Sequence, residues 1–367
     1  MGERLYEATL YRVRIPLADA FRSALDTVFV KEALLLRVRT HAGIGWSECA
    51  AQPTPAYAGE TIDDVRLALR DHLLPRAFAG AGLDDVRGHA FARAALEDAL
   101  LDARLRAEGV ALAAHLGATA RFVPAGVTIG MQESTDAFRR RVSEAVDAGY
   151  TRVKCKIEPG RDLEPMRAAR AAAGPDVALA ADANGSYDPD RARALLDAVE
   201  PLSLQCVEQP LPPAALVDSG RLVAASRTPI ALDETITSAQ VARDAIALGA
   251  CNVIVVKPGR LGGLDAAKQV HDDCRAAGVP VIAGGMLETG IGRAALLALG
   301  ALPGFTLTGD CSASARYFGP DGDLTEPFVL DGDGRIAVPT GPGIGVEPVA
   351  DRLARATVAH ERVTAGR

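Results

Sequence analysis

The sequence predicts an α/β protein: a closed parallel (β/α) barrel of the TIM type, joined to an α+β capping module. Three observations predict it. Between Thr151 and Lys257 a short apolar run ends five times in one polar residue, and a helical pattern follows each time. The ends are Lys156, Asp182, Glu208, Asp233 and Lys257, at intervals of 26, 26, 25 and 24 residues. That is the length of one βα unit, eight of which take roughly 250 residues. Before residue 120 the strands come first and the helices after them, the order of an α+β module. Finally, 367 residues are too many for one small core and suit a barrel plus a second module.

The expected division is residues 1–120 for the first part of the cap, 121–325 for the catalytic barrel, and 326–367 for a segment that returns to the cap. In the cap, residues 4–16 and 30–40 have the alternation of strands, and the turn at Gly43 leads into a third. The mixed polarity of residues 16–26 predicts a loop between the first two strands. The prolines of residues 51–57 predict a second loop. A helix opens at Thr61 with Ile62, Val65, Leu69 and Leu73 on one side, and another covers about 88–107. In the barrel, Phe122–Ile129 is expected as the first strand and residues 134–148 as its helix, closed by Gly149. Asp188-Pro189 starts a helix as cap and first-turn proline, and Ser238 caps a later one. Residues 279–283 are expected as the seventh strand and 305–308 as a short eighth. The tail from Glu326 holds three apolar runs broken by Gly and Pro.

Composition narrows the function. Apolar residues at 49% and charged residues at 24% are the balance of an ordinary globular protein. A formal net charge of −7 argues against a nucleic-acid surface. No run of eighteen apolar residues appears, and the N-terminus lacks the basic-then-apolar form of a signal peptide. A cytoplasmic protein with no membrane partner is expected. Cysteines 49, 155, 206, 251, 274 and 311 stand singly, several inside apolar runs, which points to buried thiols. None of the six histidines falls at a strand end, which weakens any mechanism with a histidine base.

The strand ends carry the chemistry, because such barrels place their active residues at the carboxyl ends of their strands. A single acid there can simply cap the next helix. Three acids from successive strands, Asp182, Glu208 and Asp233, cannot be gathered without a cation except at high cost. Hard oxygen ligands suit magnesium, with manganese as the alternative. Alternation along the strand turns Lys154 and Lys156 inward and Cys155 outward to the helices. Those lysines either pair with the acids as salt bridges or face an anionic substrate. Lys257 ends the strand four units further round, so a substrate on the metal would lie between Lys156 and Lys257. Positive charge on Lys154 and the metal would keep Lys156 partly neutral, as a general base requires. A cation on a substrate carboxylate stabilises the enediolate left when the α-carbon loses its proton. Reprotonation from the opposite lysine then gives racemisation, and loss of a β-substituent gives elimination.

Lys154-Cys-Lys156, Asp182-Ala-Asn184, Val-Glu208-Gln-Pro, Leu-Asp233-Glu234, Lys257-Pro-Gly-Arg260-Leu-Gly-Gly and Gly284-Gly-Met286-Leu-Glu288-Thr-Gly-Ile-Gly-Arg293 together resemble the enolase superfamily. More narrowly, they are similar to its group of o-succinylbenzoate synthases and N-succinylamino acid racemases. The likeness includes Phe21-Arg22-Ser and Gly304-Phe-Thr-Leu-Thr-Gly-Asp310 and covers nearly the whole chain. It implies a modified, (β/α)7β-like barrel. It implies magnesium on Asp182, Glu208 and Asp233, with Lys156 removing the α-proton. Lys257 would be the second acid/base in racemisation, or a cation over the ring in dehydration. Lys154 and Asn184 match residues near the substrate carboxylate and the metal, and Glu234 matches an acid beside the last ligand.

Phe21, Arg22 and residues 51–57 would close over a succinyl tail, with Met286 and Glu288 also near the substrate. Arg260 would either tune Lys257 through its charge or form a surface salt bridge. Thr128 stands where serine is expected, Leu296 where asparagine is frequent and Ala315 where aspartate is usual. The implied partner is a small carboxylate bearing a succinyl group, and a homo-oligomer is left open. The implied reaction is dehydration of 2-succinyl-6-hydroxy-2,4-cyclohexadiene-1-carboxylate to o-succinylbenzoate, a menaquinone precursor, or racemisation of N-succinylamino acids. A dipeptide epimerase or a muconate-type cycloisomerase is the remaining alternative, along with a catalytically dead barrel that only binds. Gly290-Ile-Gly292 imitates a dinucleotide fingerprint but lacks the acidic partner and the two-strand context.

Overall fold

The N-terminal hairpin runs further than its polarity suggests. In the computed structural model, which describes residues 4–83, 85–319 and 322–365, β1 is Leu5–Arg22 and β2 is Thr27–Thr40. They pair antiparallel from Leu5 opposite Thr40 to Pro16 opposite Val30. The register then slips, and pairing resumes at Phe21 opposite Val28. The expected loop over 16–26 is therefore mostly strand, and only residues 23–26 turn. Pro16 has no N–H to give to the ladder, so the irregularity falls just after it. β3 (Ile44–Cys49) pairs with β2. The terminal strand Thr357–Thr364 returns to pair antiparallel with β1 on its other side, making a four-stranded sheet.

Two helical segments cover that sheet. Thr61 caps the first and exchanges hydrogen bonds with Asp64 in a reciprocal capping box. The helix Ile62–Ala68 passes through a π-helical turn, Leu69–Leu73, into Leu74–Phe78. The wider turn lets Leu69, Leu73 and Leu74 all stay buried. The helix Ala90–Glu108 crosses β3 at very short range, because a Cβ on Gly45 would lie 2.1 Å from the Ala99 carbonyl oxygen. Alanine at 95, 99 and 103 permits that approach.

The barrel sheet has seven parallel strands, adjacent in chain order: β5 (Gly126–Ile129), β6 (Arg152–Lys156), β7 (Ala178–Asp182), β8 (Cys206–Glu208), β9 (Ile230–Leu232), β10 (Val253–Val256) and β11 (Val281–Ala283). The single strand expected over 122–129 is divided. β4 (Phe122–Pro124) pairs with Arg335–Ala337 of the tail, and only β5 joins the barrel. Pro124 cannot continue the ladder, which explains the division.

The expected eighth strand, Phe305–Thr308, does not form. The gap between β11 and β5 is closed a few residues later, where the Asp310 N–H donates to Ala283 and the Gly126 N–H donates to Cys311. Gly309 and Gly126 are needed for that closure: a Cβ on Gly126 would fall 2.1 Å from the Gly309 oxygen.

Inside the barrel, Ala180, Cys206, Ala231, Val253, Val255 and Ile282 form a small apolar floor. Alternate residues such as Val153 and Cys155 pack outward on the helices. Ser134, Asp188 and Ser238 cap the helices that follow them. All six cysteines are buried and free. Among the described residues no helix is long and apolar enough to cross a membrane.

The cap meets the barrel at Asp98, whose carboxylate accepts the Leu264 N–H at 2.9 Å. Burial pushes its pKa up to about 7 against that bond, and the charges of Glu97 and Asp265 add to the rise. Between about pH 4 and 7 the folded state therefore holds a proton that the unfolded chain releases. Stability falls as pH rises through that window, and the cost is complete above 7. Asp98→Asn is expected to stabilise the fold increasingly from pH 4 to 7, by at most about 4 kcal/mol on the plateau, and to raise the melting temperature accordingly. Thermal melts of both proteins from pH 5 to 9 check this.

Candidate active site

Three cations stand one above another on the inner face of β6. Arg152, Lys154 and Lys156 are all buried, and each finds its own anions. Arg152 donates to Asp310 Oδ1 at 2.6 Å and to Gln205 at 2.7 Å. The Lys154 Nζ donates to Asp310 Oδ2 at 2.6 Å and to both oxygens of Glu208 at 3.0 Å, with Asp182 Oδ2 at 3.3 Å. Lys156 donates to Asp182 Oδ2 and Asn184 Oδ1, both at 2.7 Å. The Phe21 ring lies 6.0 Å from its ammonium.

The carboxylates end the next three strands. Asp182 and Glu208 sit in register on β7 and β8, and Asp233 follows β9. Asp233 accepts Lys257 Nζ at 2.7 Å and Arg260 Nη1 at 2.6 Å. Tyr57 reaches in from the cap: its hydroxyl lies 3.2 Å from both Asp233 oxygens, accepts from Lys257 at 2.9 Å and touches Arg260. Lys156 and Lys257 thus flank the acids from opposite ends, with three strands between them, each with an aromatic ring from the cap beside it.

The backbone here is shaped to present these groups. Asn184 and Gln209, just beyond two of the acids, adopt left-handed φ values of 43° and 40°. Gln209 is wholly buried and accepts the N–H groups of Asp233 and Thr235, which fixes the turn that carries the third acid.

Charge and burial oppose each other throughout. Burial works against ionising Asp233, but Arg260 and Lys257 outweigh it and hold its carboxyl below the usual range. Asp182 is likewise held low, against burial, by Lys156 and Lys154. Glu208 goes the other way: burial and the neighbouring charge of Asp182 lift it well above an ordinary glutamate. Glu234 is pushed up to about 7 by burial, then by Asp233 and Asp182. Lys154 and Lys257 are held charged against burial, the first by Asp310, Glu208 and Asp182, the second by Asp233.

Phe21, Thr128, Lys154, Lys156, Asn184, Lys257 and Met286 line one cavity under the cap. Other expected residues stand outside it. Arg22 is half-exposed, 3.9 Å from Glu158. Glu288 turns back to the Met286 N–H at 2.7 Å. Glu234 lies behind Asn184, accepting its Nδ2 at 2.7 Å. Arg260 is buried, so the surface salt bridge is excluded, and Ile236 and Val255 carbonyls hold it beside Asp233. The glycine pair at 290 and 292 is no phosphate cradle. The Gly290 N–H donates to Asp323 and the Gly292 N–H to Glu48, so acids already satisfy that helix end.

Sequence reasoning passed over Arg152, Tyr57, Gln209 and Asp310 as individual site residues. Arg152 shares the alternation of Lys154 and Lys156, a signal that could have found it. Asp310 follows the expected eighth strand. Tyr57 lies in the expected closing loop 51–57 and Gln209 in the Glu208-Gln-Pro run, but nothing local gives either side chain its role.

Among the described residues no three acidic, His or Cys side chains stand together as a finished metal cage, since each acid is drawn to a lysine or to Arg260. The donor chemistry nevertheless fits a hard divalent cation: three carboxylates, one of them lifted by burial and by the charge of Asp182.

Gly284 forms the wall against which Lys257 lies. A Cβ there would come 2.5 Å from Val255 and 2.8 Å from Lys257 Cγ and Cε. Gly284→Ala is expected to displace the lysine and lower any turnover that uses it by about 10²-fold, with little loss of fold. Steady-state kinetics alongside a thermal melt check this.

A barrel whose three acid-bearing strands lie between two lysine-bearing ones, beneath an antiparallel cap, defines a class of enzyme. The chain belongs to the enolase superfamily, and residues 137–352 match the family described as Enolase C-terminal domain-like. It is 45% identical over 365 residues to N-succinylamino acid racemase of Amycolatopsis sp, covering 97% of this chain and 98% of that one. It is 39% identical over 348 residues to o-succinylbenzoate synthase of Geobacillus kaustophilus, covering 92% of each. The crystal structure of an enolase-superfamily member from Listeria innocua Clip11262 superposes with a TM-score of 0.93 at 32% identity, over 100% of both chains.

Proposed function

We propose that this enzyme is an o-succinylbenzoate synthase, dehydrating 2-succinyl-6-hydroxy-2,4-cyclohexadiene-1-carboxylate on the way to menaquinone. The observation that carries the reading is the placement of Lys156 and Lys257 on either flank of Asp182, Glu208 and Asp233. Asp182, Glu208 and Asp233 would hold a magnesium ion, with manganese as a substitute, which would supply positive charge to the substrate carboxylate as its α-carbon is deprotonated. Lys156 takes the α-proton and delivers it to the departing hydroxyl. Lys257 stands on the far face of the ring as a cation. Lys154 and Asn184 orient the carboxylate, and Arg260 tunes Lys257 through the carboxylate they share. Phe21, Thr128 and Met286 shape the pocket for the succinyl arm. Arg22, Glu234 and Glu288 support it from outside.

The charge of the site suits an anionic substrate. The buried site holds five acids (Asp182, Glu208, Asp233, Glu234, Asp310) and five bases (Arg152, Lys154, Lys156, Lys257, Arg260), so a divalent cation leaves it net positive even with Lys156 neutral as the base. The cyclohexadiene acid carries two carboxylates.

Racemisation of N-succinylamino acids, which also carry two carboxylates, is the second reading. The 45% identity to a racemase and the presence of a lysine on each face favour it. Two steady-state assays decide between them, one on the cyclohexadiene acid and one on N-succinyl-phenylalanine or -methionine. A higher kcat/KM for dehydration supports the first reading, and the reverse order supports the second. No turnover of either substrate removes both.

A further inference from the structure

Asp310 is the acid that the reaction as described above does not use. It comes from the stretch that closes the barrel without forming a strand, and its backbone is pinned there by the hydrogen bond from its own N–H to Ala283. Its two oxygens are divided between two cations: Oδ1 takes Arg152 and Oδ2 takes Lys154, both at 2.6 Å. Arg152 is fully buried and is also held by Gln205, so it roots the arrangement in the floor of the barrel. Lys154, one inward position above it, spends its remaining donors on Glu208 and Asp182. Those are two of the three carboxylates assigned to the divalent cation.

A cation entering that site competes with the Lys154 ammonium for the same oxygens. The ammonium can withdraw only if another buried anion accepts it, since an unpaired charge there is expensive. Asp310 is that anion. We propose that Asp310, braced by Arg152, is a positioning residue that draws the Lys154 ammonium away from Asp182 and Glu208 and so keeps these carboxylates available to the divalent cation. The proposal rests on the metal assignment made above.

Without Asp310, Lys154 falls fully onto the two metal carboxylates, and Arg152 keeps Gln205 but loses its counter-charge. The test is binding of Mn2+ alone to the full-length protein without substrate, by titration calorimetry and by the electron paramagnetic resonance signal of free Mn2+. Asp310→Asn is expected to weaken Mn2+ binding at least tenfold. Net charge alone would also weaken it, so the double variant Arg152→Gln/Asp310→Asn restores the formal charge and leaves no buried arginine unpaired.

That double variant is expected to stay at least fivefold weaker than the parent protein, and it remains informative if the single variant does not fold. Recovery of parental affinity in the double variant, or affinity within twofold of the parent in a folded Asp310→Asn protein, overturns the proposal. Failure of the parent protein itself to bind Mn2+ overturns the metal assignment instead.

Discussion

Lys156→Ala is expected to abolish dehydration, lowering it by about 10²–10⁴-fold or more, the share a positioned general base contributes. It should also stop α-proton exchange from the one enantiomer of an N-succinylamino acid whose proton faces it. The geometry makes this specific. Lys156 is tied to Asp182 and Asn184 beneath the Phe21 ring, whereas Lys257 is tied to Asp233 and Tyr57 on the other flank. Neither ammonium can cross the three intervening strands to replace the other. Lys257→Ala should therefore stop exchange from the opposite enantiomer, and either variant should stop racemisation. Exchange in deuterated water, followed for each enantiomer separately, reads this directly. Exchange of both enantiomers by the Lys156→Ala protein would remove the base assignment.

Stripping divalent metal with a chelator is expected to remove turnover by several orders of magnitude, and magnesium or manganese should restore it. The physical reason lies in the carboxylates. Burial and the charge of Asp182 lift Glu208, so that site gains most from a cation that neutralises the crowd. A lysine can bring at most one positive charge to those acids, whereas a divalent cation brings two. Glu208→Gln, which keeps shape and removes charge, should weaken Mg2+ binding at least tenfold and lower turnover at any fixed subsaturating magnesium concentration. Full activity after exhaustive chelation would refute the carboxylate assignment.

Much of the architecture could be seen in the spacing of strand ends. Five apolar runs with one polar terminus each mark five barrel strands, because a βα unit has a nearly constant length and its strand alternates strictly. Lys154, Lys156, Asp182, Glu208, Asp233 and Lys257 all lie where that periodicity puts them, at one buried end of the barrel. The cap was harder. Residues 16–22 look like a loop because their polarity suits solvent, yet they pair with β2 because a neighbouring strand supplies partners for their backbone. The eighth strand failed for the opposite reason. Residues 305–308 have strand composition, but the barrel closes through Gly309 and Asp310, where bare glycine backbone lets two strands approach.

The sequence by itself determined the class of fold, the inward face of β6 and the chemical kind of group at five strand ends, because all three follow from local period and residue type. Only the tertiary structure decided which groups meet. Tyr57 reaches Lys257 across 200 residues, and Asp310 reaches Lys154 across 156. It also buried Arg260 against Asp233 and turned Glu288 away from the cavity. Such pairings depend on how a cap loop and a closing segment settle on the barrel, and packing between distant segments leaves no period in the chain to read.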